Sequence, residues 1–134
     1  MNNKALGDAG ENFVVAFLQK QGFCIKAQNY RKFFGEVDII ACKKELYVFV
    51  EVKTRKSSVV VPMGNLISLS KQKKIIKTAE TFIAEQKLKN NVYRFDVALV
   101  QPDTTSLGST SQCATFSIDY IENAFVKNEH RYEY

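Results

Sequence analysis

Gly35-Glu36-Val37-Asp38-Ile39-Ile40-Ala41-Cys42-Lys43-Lys44-Glu45-Leu46-Tyr47-Val48-Phe49-Val50-Glu51-Val52-Lys53 is the stretch that decides the fold. Val37 to Cys42 and Leu46 to Val52 are β-branched and apolar, which predicts two strands broken at Lys43 to Glu45. Side chains alternate faces along a strand. Glu36, Asp38, Ile40 and Cys42 therefore share one face, as do Tyr47, Phe49, Glu51 and Lys53. An antiparallel pair turning at Lys44-Glu45 sets Asp38 opposite Glu51 and Glu36 opposite Lys53. Directly opposed Cβ atoms stand about 4.5–5.5 Å apart, where like charges destabilise the pair. Lys-Glu lacks the Gly or Asn that favours a two-residue turn, so a longer loop and a blurred register are expected.

Carboxylates inside apolar strands are costly unless a partner compensates. Magnesium takes oxygen ligands and keeps waters beside one or two carboxylates. A metal on Asp38 and Glu51 would polarise a phosphate oxygen and activate a bound water. Lys53, one pleat further on, would orient that water or stabilise developing negative charge. The competing reading is a charge-balanced sheet end with Glu36–Lys53 as an ion pair. The opposed carboxylates favour the site.

Asp38, a gap, then Glu51-x-Lys53 on the next strand resembles the signature of the PD-(D/E)XK nuclease superfamily. The wider pattern is similar to the YraN-type proteins, which look like Holliday-junction resolvases. Its pieces are Gly10-Glu11, Asn29-Tyr30-Arg31, Gly35 to Asp38, Val48 to Arg55, Lys71 with Ala79, and Arg94 to Val97. Val37 stands where the superfamily name has Pro, and the loop after Arg55 lacks an acidic residue before the second helix. The resemblance implies an α/β domain with a mixed central β-sheet flanked by helices, a restriction-endonuclease-like αβββαβ core. It implies a Mg²⁺- or Mn²⁺-dependent endonuclease acting on DNA, including branched DNA, with Asp38, Glu51 and Lys53 catalytic and Glu36 tuning Lys53. A non-catalytic nucleic-acid-binding module of the same fold is the alternative. Two readings of Glu11 stand level: a metal-supporting helix glutamate, or a partly exposed surface residue. A homodimer is expected by analogy with the resolvases, whose symmetric substrates suit a two-fold axis.

The formal net charge is +5, from 19 Lys and Arg against 14 Asp and Glu. Lys71, Lys73, Lys74 and Lys77 crowd one segment, and positive charge in a helix's first turn opposes the macrodipole. Phosphate contact is one use for such charge. Arg31, Arg55, Lys71 and Lys74 are the nucleic-acid-binding candidates, whereas Lys73 and Lys77 read as a solvated face. Tyr30 reads as a core residue rather than a stacking platform. The 134 residues, 46% hydrophobic and 25% charged, fit one domain over 1–126 with a polar tail over 127–134. No apolar run spans a bilayer, and no secretory leader is seen, so a cytoplasmic protein without membrane contact is expected. Cys24, Cys42 and Cys113 suit neither a disulfide framework nor a zinc site.

Elsewhere, Asn3 is expected to cap a helix to Gln21 closed by Gly22, with Leu6, Ala9, Phe13, Ala16 and Phe17 as its stripe and Val14 and Leu18 widening it on one side. Phe23 to Asn29 predicts an edge strand and Asn29 to Lys32 a turn. Ser57 to Leu69 predicts a loop. Ser70 is expected to cap a helix to Leu88. Tyr93 to Gln101 predicts a strand joined by a crossover, with Asp96 bound to Arg94 rather than at the metal. Pro102 to Gln112 reads as a polar turn, Ala114 to Ile118 as a last strand, and Asp119 as the cap of a short helix. His130, in the tail, is a poor catalytic candidate.

Overall fold

The computed structural model describes residues 2–55, 66–103 and 115–127. Most of the expected Ser57 loop, the Pro102 turn segment, Cys113 and the tail with His130 lie outside them. The elements are α1 (Asn3–Lys20), β1 (Cys24–Lys32), β2 (Gly35–Lys43), β3 (Leu46–Thr54), α2 (Leu69–Glu85), β4 (Val92–Pro102) and β5 (Phe116–Phe125). Sheet order follows chain order, β1-β2-β3-β4-β5. Only β3 and β4 pair in parallel. Parallel neighbours need a long connection, and α2 lies in it. The expected mixed α/β sheet is present, with the αβββαβ order extended by β5.

The helices cover opposite faces. Val14 and Leu18 of α1 pack on Ile39, Ala41, Val48, Val50, Ala98 and Val100. Ile75, Ile76, Ala79 and Phe82 of α2 pack on Val37, Ile40, Phe49 and Val97. Near-continuous apolar runs in β2 and β3 are what burial on both faces demands. The buried line of α1 is Gly10-Val14-Leu18, while Ala16 is exposed; the expected stripe was centred one residue to the side. Gly10 permits this approach, because a Cβ there would lie 2.4 Å from Thr54 Oγ1.

The β2–β3 register is sharp rather than blurred. It runs from Lys43↔Leu46 to Ile39↔Val50 around a two-residue turn. Lys44 adopts φ 56°, and the turn is pinned because the Glu45 carbonyl accepts from Val92 N at 2.9 Å. Other boundaries shift for local reasons. Asn2 caps α1 by accepting from Ala5 N at 2.7 Å, and Ser68 caps α2 by accepting from Lys71 N at 3.1 Å. The expected Asn29–Lys32 turn continues β1, pairing Tyr30↔Val37 and Arg31↔Glu36. Asp119 caps no helix, because β5 keeps pairing with β4 to Phe125. Tertiary pairing overrides the local cap signal there.

Asp96 supplies part of that pairing. Fully buried, it accepts two hydrogen bonds from Arg94 at 2.8 and 2.9 Å and others from the Tyr120 hydroxyl and Asn123 N. It binds Arg94 as expected and fastens β5 to β4. Among the described residues, no helix is long and apolar enough to cross a membrane.

Candidate active site

The paired strands part at Asp38. Beyond Ile39↔Val50, Asp38 Oδ2 accepts from Val52 N at 2.8 Å, a donor that an unbroken ladder would give to a β2 carbonyl. On its other side, the register sets Asn29 across from Asp38. Asn29 adopts φ 52°, a left-handed conformation that Asn tolerates better than most residues. Face alternation also slips here, since Val37 joins the α2-side core and Ile39 the α1-side core. These irregularities converge on one carboxylate.

Asp38 consequently borders two cavities. One, about 410 Å³, is lined by Gly7, Asp8, Glu11, Val52 and Thr54 among others. The second, about 100 Å³, is lined by Gly35, Glu36, Glu51, Lys71, Lys74 and Ile75. Burial pushes the Asp38 carboxyl up to about 7, aided by the Glu51 charge and opposed by the Val52 hydrogen bond. Glu51 is 5% exposed. Its Oε1 lies 2.8 Å from Lys71 Nζ and 3.7 Å from Lys53 Nζ. Burial and the neighbouring Lys71 charge lower the Lys53 pKa. Burial also works against the Lys71 ammonium, but the hydrogen bond and charge of Glu51 outweigh it and raise its pKa.

Glu11 reaches towards the site from α1, and Asn29 Nδ2 donates to its Oε1 at 3.0 Å. Burial raises its pKa, against the Asn29 bond, with the charges of Asp8, Glu36 and Glu51 adding to the rise. Glu36 borders the smaller cavity, but its cation is Arg31 at 3.2 Å rather than Lys53. Arg31 sits across the β1–β2 ladder, nearer than the end of the parted β3. Lys74 lines the cavity and is exposed. Arg55 follows β3, its backbone N–H donating to Val100 O at 2.8 Å. Tyr30 packs edge-on against Phe82, the core role expected of it, and its hydroxyl donates to Glu85.

Among the described residues, no group of three His, Cys, Asp or Glu side chains is arranged to hold a metal ion. The pair Asp38 and Glu51 still fits magnesium chemically, since that ion accepts one or two carboxylates and completes its shell with water.

A family model, that of Uncharacterised protein family UPF0102, matches residues 10–100. The chain belongs to UPF0102. Relatives so named include one from Caldicellulosiruptor saccharolyticus, 41% identical over 93% of this chain and 100% of the relative. One from Dictyoglomus turgidum is 37% identical over 93% of this chain and 100% of the relative. One from Clostridium botulinum is 38% identical over 92% of this chain and 95% of the relative. The UPF0102 match takes in Glu11, Asp38, Glu51, Lys53 and Lys71. Two features escaped the sequence reading: Asn29 as the residue that orients Glu11, and the Val52 amide as the partner of Asp38. An Asn within a strand, against its usual preference, was the available signal for the first.

Proposed function

We propose that this UPF0102 protein is a divalent-metal-dependent endonuclease acting on DNA. The reading is carried by Asp38 and Glu51 bordering one small cavity, with the ammonium of Lys53 beside Glu51. The resemblance of Asp38, Glu51-x-Lys53 to the PD-(D/E)XK signature supports it. Asp38 and Glu51 would hold Mg²⁺ or Mn²⁺, which supplies Lewis-acid polarisation of phosphate and a more acidic bound water. Glu11, turned by Asn29, would accept a hydrogen bond from that water on the α1 side. Lys53, beside Glu51, would orient the attacking water and stabilise charge on the phosphate oxygens. Lys71 and Lys74 would bind flanking phosphates from the N-terminal turns of α2.

A binding module that does not cleave is the second reading. The 2.8 Å Lys71–Glu51 ion pair favours it, because it neutralises the buried carboxylate without a metal. The deciding experiment incubates the protein with single-stranded, linear duplex and four-way-junction DNA, with and without Mg²⁺ or Mn²⁺. Metal-dependent cleavage that falls at least about 100-fold in Asp38→Ala and Lys53→Ala is expected. Salt-sensitive binding with no cleavage under any metal selects the binding module.

A further inference from the structure

The β1–β2 hairpin ends in Phe33-Phe34, and the Phe33 side chain is 100% exposed. Leaving a phenylalanine in water forfeits roughly 2 kcal/mol of burial. Phe33 is nevertheless held outward on a fixed support. Lys32 and Gly35 pair directly beneath it. Phe34 meets it edge-on at 5.0 Å, and Lys77 Nζ of α2 stands 4.6 Å from the centre of the Phe34 ring. Gly35 abuts α2, where a Cβ would lie 2.6 Å from Thr78 Oγ1 and 2.9 Å from the Lys74 carbonyl. The surroundings are basic. The Arg31 side chain is 72% exposed, and Lys74 and Lys77 are exposed on α2.

We propose that Phe33 stacks on an unpaired base, making the hairpin tip the part of the protein that recognises an opened strand. This rests on the nucleic-acid reading above. A bare aromatic ring with exposed cations on nearby residues, Lys77 against Phe34 and Lys74 beside Gly35, matches a polymer of π-faced bases joined by phosphates. Duplex bases are stacked on one another and offer the tip no free face, whereas single strands and branch points do. Asp38 lies three residues along β2 from the Lys32–Gly35 pair that closes the tip, roughly 10 Å of extended strand. That span equals about three stacked nucleotides, so the tip would meet the strand a few bases from the phosphate under attack.

The chain has no tryptophan and six tyrosines, so Phe33→Trp introduces a single indole at the tip, excited selectively at wavelengths where tyrosine does not absorb. Binding is measured in EDTA, where no cleavage occurs, with oligothymidylate, blunt duplex and duplex bearing an unpaired arm. Emission should fall with the oligothymidylate and the armed duplex and stay constant with blunt duplex. Phe33→Ala should weaken oligothymidylate binding about 5- to 150-fold while changing blunt-duplex affinity less than twofold. Unchanged oligothymidylate affinity in Phe33→Ala, or constant Phe33→Trp emission at saturation, overturns the proposal. Emission that varies with protein concentration in the absence of DNA also overturns it, because a second copy then covers the tip. Tip quenching without cleavage in Mg²⁺ or Mn²⁺ supports the stacking proposal and removes only the nuclease. Failure to bind any of the three DNAs overturns both.

Discussion

Asp38 carries the largest electrostatic strain in the site, and its sign can be followed through pH. Its carboxyl is raised from 3.8 to about 7. Below about pH 4 it is protonated in the folded and unfolded chain alike. Between about pH 4 and 7 the unfolded chain releases the proton that the folded chain retains, so stability falls as pH rises. Above about pH 7 the cost is constant. The full linkage value of the shift is about 4 kcal/mol, which partial access to water reduces to roughly 2. Asp38→Asn keeps an oxygen for the Val52 amide and removes the charge. It should raise Tm by about 6 °C at pH 8 in metal-free buffer, with the gain vanishing near pH 4; thermal melts across pH measure this. Lys71 makes a separate prediction. Its ammonium holds the Glu51 oxygen that a divalent ion would need. Lys71→Met should therefore tighten Mn²⁺ binding about fivefold in calorimetry, the worth of a partly exposed ion pair. Weaker binding in the variant would assign Lys71 to supporting the ion.

At the scale of elements, the tightest joint lies between α1 and the sheet. Gly10→Ala forces a Cβ to within 2.4 Å of Thr54 Oγ1 and 3.0 Å of Val100 Cγ2. It should cost about 1–3 kcal/mol of unfolding free energy in urea titrations, although Ala is the better helix former. Asp96→Ala should cost about 3 kcal/mol, because it strips Arg94 and the Asn123 amide of their shared acceptor. The elements themselves were legible because β2 and β3 carry near-continuous apolar runs and α2 a clean seam. The tight Lys44-Glu45 turn was not, because its left-handed Lys44 depends on an anchor from Val92, distant in sequence. The continuation of β5 past Asp119 was hidden likewise, since its partner is β4. Within the site, alternation brought Asp38 and Glu51 to one cavity wall. It gave no warning that the faces slip at Asp38, and it assigned Glu36 to Lys53 when β1 offered Arg31 first.

Over the whole molecule, one group of cations stands out among the described residues. Arg31, Lys71, Lys74 and Lys77 gather around the smaller cavity and the hairpin tip. If phosphates bind there, affinity should fall with salt, with a log–log slope of about −3 on single strands. Lys74→Ala should reduce that slope by about 0.7 without altering sequence preference, as measured by fluorescence anisotropy across a salt series. The two helices are otherwise kept apart by the sheet, yet Glu11 arrives from one side of the notch and Lys71 from the other. A guest in that notch would touch all three layers, so neither helix could peel away without losing it. Its grip would be shared by the entire chain: each tenfold excess over its dissociation constant should add about 1.4 kcal/mol to the work of unfolding any part of the protein.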